Sequence, residues 1–255
     1  MKVSNSRIST FKSCRRMYQL KYIYGFEPIA VSDALSTGTS YHECVEHILR
    51  GEHYDAGDPK INGMADAFRK YIAEGLKASE EEKWFEYETK SGHTVMGRVD
   101  AITADGDVIE HKTTSGLIDG AYFQRLDFDE QIPTYMVACG TDTVYYTVCA
   151  KPTIRQKKTE LDEWFRQRCF EWYAEDTESK IKVVELRRSA GQLEEFLTEQ
   201  DDIITEMENC KLFYRNPSNC MKWGRMCEYA PICMNCDPNG EYIQFRRREN
   251  EGEKT

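Results

Sequence analysis

The stretch that most constrains this chain is residues 97–112, GRVDAITADGDVIEHK. Two runs rich in β-branched and aliphatic residues, 98–102 and 108–112, flank Ala-Asp-Gly-Asp, a turn-forming cluster suited to a tight hairpin. Side chains alternate along a strand, so Glu110 and Lys112 share one face and His111 takes the other. Asp100, on the partner strand, can reach the face of Glu110 across the hairpin. Two carboxylates and an ammonium on a hydrophobic sheet are costly to bury unless they are paired or bind a metal. The arrangement suits a hard divalent cation; the competing reading is a half-exposed hairpin with a surface ion pair.

The 255 residues are enough for a sizeable core. Hydrophobic residues at 40% and charged residues at 31% are ordinary for a soluble protein. No apolar run approaches the roughly 18 residues of a membrane span. The opening MKVSNSRISTFKSCRR has no apolar signal core. A reducing cytoplasm is therefore the expected setting (a host cytoplasm if the chain is phage-encoded), where the ten cysteines would bind metal or do redox chemistry more readily than form disulfides. The net charge of −10 argues at first against a nucleic-acid partner. Basic residues nonetheless cluster locally, at Arg15, Arg16 and Lys21, at Lys151, Arg155, Lys157 and Lys158, and at Arg246 to Arg248.

Along the chain, periodicity predicts a helix from about Ser9, a candidate N-cap, to residue 24, with Phe11, Cys14, Tyr18 and Tyr22 at helical spacing. A second helix is expected over 36–50, with His42, Val45 and Leu49 on one face. Its HECVEH string fails as a zinc-protease motif, because position 46 is Glu. A third helix is expected over 60–79, followed by strands at 84–89, 94–112 and 143–150. In QIPTY, Gln131 and Tyr135 share a helical face, and Pro133 places the helix start near Asp129 or Glu130. Residues 151–158 read as a basic loop and 159–173 as a helix. Residues 180–188 read as a strand, 189–210 as an amphipathic helix, and the charged stretch after Tyr242 as a frayed tail.

Near the C-terminus stand Cys220, Cys227, Cys233 and Cys236. Six, five and two residues separate them, whereas zinc ribbons show paired Cys-x-x-Cys halves. A four-thiolate iron–sulfur cluster tolerates less regular spacing, so both metals stay open. A deaminase site is excluded, since Ile232 separates Pro231 from Cys233 and no His-x-Glu accompanies them.

Together these residues resemble the PD-(D/E)XK nuclease superfamily, in its RecB-like, iron–sulfur branch that includes AddB-type recombination nucleases and CRISPR-associated single-strand exonucleases. His42 in GTSYHECVE matches the helical motif histidine, Asp100 in GRVD the metal-binding aspartate, and Glu110-His111-Lys112 the (D/E)-x-K element. Gln131 and Tyr135 match the Gln-x-x-x-Tyr motif. The resemblance implies an α/β (α+β) restriction-endonuclease-like core with a mixed central sheet flanked by helices. It also implies one nuclease domain over 1–240: an N-terminal helical segment (1–80), a nuclease core (81–210) and a Cys-rich segment (211–240), followed by a charged tail (241–255). A [4Fe-4S] cluster, with zinc as the lesser substitute, would join both ends through Cys14, Cys220, Cys227 and Cys233. The chain departs from the family's interval between the second and third ligands, so Cys236 is the alternative to Cys220.

The activity so implied is hydrolysis of DNA phosphodiesters, exonucleolytic and on single-stranded or frayed ends, in recombination, repair or CRISPR adaptation. Mg²⁺ or Mn²⁺ would be held by His42, Asp100, Glu110 and the carbonyl of Ile109. Lys112, Gln131 and Tyr135 would complete the catalytic group, and Arg15, Arg16, Lys151 and Lys158 would contact the DNA backbone. No ATP-binding Gly-rich loop is present, so unwinding falls to a helicase, with a recombinase or CRISPR protein as other implied partners. The alternatives are a catalytically silent, cluster-bearing DNA-binding or adapter subunit and a zinc-stapled interaction domain.

Overall fold

The computed structural model describes residues 1–28, 33–116, 118–235 and 245–247. In chain order the elements are β1 (Lys2–Val3), α1 (Asn5–Ser13), α2 (Arg15–Tyr18), β2 (Phe26–Pro28), α3 (Asp33–Leu49), α4 (Pro59–Tyr71), β3 (Ala78–Glu88), β4 (Thr94–Thr103) and β5 (Val108–Thr114). There follow α5 (Gly120–Gln124), α6 (Gln131–Cys139), β6 (Thr143–Ala150), α7 (Asp162–Ala174), α8 (Thr177–Lys180), β7 (Ile181–Arg187), α9 (Ala190–Asn209), α10 (Ala230–Asn235) and β8 (Phe245–Arg247). Two compact units divide the chain: Met1–Ser32, Tyr87–Met96 and Leu197–Thr255 form the first, and Asp33–Glu86 with Gly97–Phe196 the second.

The second unit is a mixed sheet between helical layers. Its strands run in the order β4-β5-β6-β7, with β3 paired to β4. β4 and β5 are antiparallel, β5 and β6 parallel, β6 and β7 antiparallel. The β4–β5 connection closes as the sequence predicts. Gly106 takes the left-handed conformation (φ 92°) and its N–H donates to the Thr103 carbonyl; a glycine there avoids the steric cost of a Cβ. One face of the sheet (Ala101, Ile109, Cys149, Ile181) packs on α3 and α4 through Tyr41, Cys44, Val45, Met64 and Phe68. The other (Val108, Val144, Tyr146, Val148) packs on α5 and α6 through Tyr122, Ile132, Tyr135 and Met136. A parallel pair cannot be joined by a tight turn, so the β5–β6 connection carries α6 back onto the face that bears Glu110 and Lys112.

The first unit pairs β1 with the start of β4, Lys2 opposite Thr94 and Val3 opposite Val95. Val3, Ile8, Phe11, Tyr18, Val95, Ile204 and Met207 form its core. Asp201 fixes the turn around residue 90 by accepting from the hydroxyls of Thr89 and Ser91.

Several boundaries differ from the sequence reading. The first helix starts at Asn5 rather than near Ser9, because Ser4 is the cap and accepts from the Arg7 N–H. It breaks at Cys14, which is extended (φ −162°, ψ 110°), before α2 resumes. Helix α4 stops at Tyr71, well short of residue 79, and Ala78 already opens β3. Within the stretch expected to fray, Phe245–Arg247 pairs antiparallel with Phe26–Pro28, a long-range ladder without a local signal in the sequence. The expectations at 143–150 and 180–188 match β6 and β7 to within a residue at each end. No helix among the described residues is long and apolar enough to cross a membrane.

Helices α4 and α7 pack tightly at Gly63. A Cβ there would lie 2.6 Å from Cys169 Cβ and 2.7 Å from the Arg166 carbonyl oxygen. Because one obstruction is backbone, Gly63→Ala is expected to destabilise the fold by about 1–3 kcal/mol, the usual range for overpacking, as read by urea denaturation.

Candidate active site

The site is built where β4 and β5 meet α3 and α6, all within the second unit. Along β5 the alternation separates the two faces. His111 is buried on the α4 side, its ring 5.4 Å from that of Phe68 and its Nδ1 2.6 Å from Thr147 Oγ1. Glu110 is buried on the α6 side and Lys112 is half-buried there. Along β4 the alternation is interrupted at Asp100, since Val99 packs with the α6 layer and Ala101 with the α3–α4 layer. Such interruptions re-aim side chains at functional sites. Here Asp100 Oδ2 accepts the His111 N–H at 2.8 Å and lies 3.5 Å from Nδ1 of His42 on α3.

On the other side Lys112 Nζ contacts Glu110 Oε1 and donates to Gln131 Oε1 at 2.9 Å. Gln131 Nε2 in turn donates to the Tyr135 hydroxyl, as expected for residues four apart on a helix. The start of α6 at Gln131, with Glu130 at the N-cap position, agrees with the placement Pro133 required. Asp129 Oδ1 accepts the Gln131 N–H at 2.8 Å and fixes that first turn.

Burial and the neighbouring charges set the electrostatics of the site. Burial and the neighbouring Asp100 carboxylate push Glu110 up to about 8, against the opposing pull of Lys112. Burial also acts to raise Asp100, but His42 and His111 outweigh it and hold the carboxyl well below the usual range. Burial lowers His42, and Asp100 more than reverses this. Lys112 is likewise raised overall, because Glu110 and Asp100 overcome its desolvation. His111 is held down to about 4 by burial, so it is neutral near pH 7. The second carboxylate oxygen of Glu110, Oε2, is buried and has no hydrogen-bond partner among the described residues. Leaving such an atom unpaired is costly, and a ligand is one way to satisfy it.

The structure thus brings together His42, Asp100, Glu110, Lys112, Gln131 and Tyr135, with Ile109 fully buried between the β5 residues. Among the described residues no three His, Cys, Asp or Glu side chains converge as a metal cage; Glu110 leans on Lys112 instead. The basic candidates lie elsewhere. Arg15 pairs with Glu206 and is flanked by Phe11 and Tyr214, whose ring centroids are 4.9 and 5.0 Å away. Arg16 donates to Gln19. Lys151 follows the C-terminal end of β6, its N–H on the Thr114 carbonyl, and Lys158 is exposed in the following loop. Phe85, which sequence reasoning did not single out, meets the Tyr135 ring edge-to-face, and Gly97 of the GRVD stretch leaves room for its ring.

Cys14, Cys220, Cys227 and Cys233, all free thiols, line one cavity of about 690 Å³ in the first unit, with Met17 and Met221. The break after α1 turns Cys14 there, and the Ser13 carbonyl is held by Asn216 and Asn219. The Cys227 N–H donates to the Cys220 carbonyl at 2.8 Å. No group of three cysteines sits at metal-holding geometry among the described residues. Cys236 lies outside the described residues.

Folding takes up a proton at Glu110 between its ordinary value of 4.5 and about 8. The stability this carboxyl contributes therefore falls as pH rises through that window. The difference in unfolding free energy between Glu110→Gln and the wild type is expected to move in favour of Gln from pH 5 to pH 8, measured by denaturant titration at each pH. A pH-independent difference would contradict the raised value.

Comparison with known proteins places this geometry. The chain resembles a crystal structure named "Putative exonuclease" from Eubacterium rectale (TM-score 0.56, 12% identity, 92% of each chain covered). It also resembles the crystal structure of SSO0001 (TM-score 0.50, 13% identity, 91% of this chain and 85% of that one). An alkaline exonuclease from Laribacter hongkongensis aligns at TM-score 0.45 and 14% identity, over 82% of this chain and 88% of its own. No curated protein matches the sequence. At such identities these likenesses show the fold. The family itself is shown by sequence, since the PD-(D/E)XK nuclease superfamily matches residues 2–66 and 60–234, and the chain belongs to that superfamily.

Proposed function

We propose that this protein is a metal-dependent DNA exonuclease acting on single-stranded or frayed ends. The observation that carries the reading is the buried Oε2 of Glu110, without a hydrogen-bond partner among the described residues, beside Asp100 and Lys112. Asp100 and Glu110 offer hard oxygen donors, His42 a ring nitrogen and Ile109 a backbone carbonyl, a donor set suited to Mg²⁺ or Mn²⁺. When bound, the cation supplies Lewis acidity toward the phosphate oxygens and the attacking water. Lys112, kept cationic, places positive charge where the transition state gathers negative charge. Gln131 and Tyr135 orient the ammonium and the strand, and His42 keeps Asp100 ionised. Lys151 and Lys158 are the basic candidates for backbone contact, with Arg15 and Arg16 in the first unit. The intact set of Asp100, Glu110 and Lys112 favours an enzyme over a silent adapter.

Asp100→Ala and Lys112→Ala are each expected to lower Mn²⁺-dependent degradation of end-labelled DNA on the order of 10²–10³-fold, the usual loss for removing a transition-state charge partner. Binding to the same DNA should persist. Undiminished cleavage by both variants would sink the assignment. Product ladders on single- and double-stranded DNA read the strand preference and the mode of cleavage.

For the cysteine cavity we propose an iron–sulfur cluster held by Cys14, Cys220, Cys227 and Cys233, with Cys236 as the substitute for Cys220 and zinc as the substitute metal. Its support is that four thiols from the first helix break and the C-terminal segment line one cavity. Binding energy of such a group is folding energy. Anaerobically purified protein is expected to contain iron and acid-labile sulfide, and both Cys14→Ser and Cys227→Ser to lose them with a lowered melting temperature. Stoichiometric zinc without sulfide would assign the zinc alternative.

A further inference from the structure

The Lys112 ammonium is held by Gln131 and Tyr135, and behind them stands a residue outside every motif named above. Lys112 Nζ is bonded to the Gln131 amide oxygen at 2.9 Å, and the amide nitrogen of Gln131 donates to the Tyr135 hydroxyl. A planar amide with both ends engaged has one orientation, so whatever fixes Tyr135 also fixes where Gln131 offers its oxygen. The Tyr135 ring meets the Phe85 ring edge-to-face, with centroids 5.8 Å apart and an interplanar angle of 80°. Phe85 in turn lies against the backbone of β4 at Gly97, where a Cβ would stand 2.7 Å from its Cζ and 3.0 Å from Cε1. The glycine leaves the space that the ring occupies. The contacts therefore run without a gap from β4 through Phe85, Tyr135 and Gln131 to Lys112 and Glu110.

We propose that Phe85 is a positioning residue for the hydrolytic reaction, holding Tyr135 and through it Gln131 and Lys112, and that Gly97 exists to admit its ring. This rests on the nuclease reading above. Phe85 meets the site at the Tyr135 ring, and through that contact its effect reaches the Tyr135 hydroxyl. The geometry also explains why the glycine stands three residues before Asp100: one strand presents the metal-binding carboxylate and, just upstream, the seat for the ring that aligns the ammonium.

The test is a double-mutant cycle on kcat for end-labelled DNA, with Tyr135→Phe as the second site, because that change keeps the ring against residue 85 and removes only the hydroxyl. Phe85→Leu is expected to lower kcat about tenfold, within the range that a small misplacement of a catalytic group produces, with KM little changed. In the Tyr135→Phe background the same substitution should have almost no further effect. An unchanged kcat in Phe85→Leu, or an equal loss in both backgrounds, overturns the proposal. The Nζ resonance of Lys112, assigned by its loss in Lys112→Ala, gives a readout that needs no activity: it should move in Phe85→Leu, and a fixed shift counts against the proposal. Stability is separated by Gly97→Ala, which should lower the melting temperature, and by Gly97→Ala with Phe85→Leu, which should regain much of it while kcat stays low. Recovery of kcat in that pair would overturn the positioning role. Loss of cleavage in Lys112→Ala with full cleavage in Phe85→Leu leaves the nuclease reading standing and removes only this inference.

Discussion

Glu110 sets the terms for the second unit. Its carboxylate is buried on a β-strand among apolar neighbours, where an isolated charge is far too costly to keep. Only a proton, a cation or a set of donors can offset the cost, and the chain supplies the second in Lys112 on the same face of the same strand. The remaining oxygen is left without a partner among the described residues. Asp100, His42 and Gln131 then follow as neighbours whose charges and dipoles must suit that one oxygen pair. A structure built for stability alone would place a well-packed hydrophobe at this position, since buried ion pairs are often neutral or worse in folding terms.

The sheet topology turns this local fact into a site. Because β5 and β6 run parallel, their connection must cross over a face of the sheet. That crossover lays α6 on the side of Glu110 and Lys112, and Gln131 and Tyr135 arrive there one helical turn apart. On the opposite face, α3 and α4 bury His111 against Phe68. His42, at the edge of the α3 stripe, meets Asp100 where the alternation of β4 breaks. Two layers of helices thus contribute to one end of one hairpin.

Much of this was legible in the sequence wherever the signal is local. Period-two alternation in VIEHK assigned the faces of Glu110, His111 and Lys112, and the four-residue spacing of Gln131 and Tyr135 assigned theirs. Pro133 located the start of α6 to within a residue or two. What stayed hidden depends on partners distant in sequence. Ser9 reads as the cap until Ser4 is seen to accept from the Arg7 N–H. Phe245–Arg247 becomes a strand only because Phe26–Pro28 offers an edge. Gly97 looks like any strand glycine until the Phe85 ring is placed over it. The pairing of His42 with Asp100 needs a helix and a strand brought together by the core between them.

Charge pairing refines what the basic clusters in the sequence can mean for DNA. Arg15 is tied to Glu206, Arg98 to Glu82, Arg166 to Asp66 and Arg168 to Glu160. Each pair removes a cation from the field that a polyanion would meet, in a chain whose net charge is already −10. For a nuclease with this charge balance, long-range steering of DNA would be weak and short-range contacts would carry more of the binding free energy. Under the nuclease reading, that shifts the burden to the site itself, where Lys112 and a bound divalent cation would concentrate positive charge beside two carboxylates.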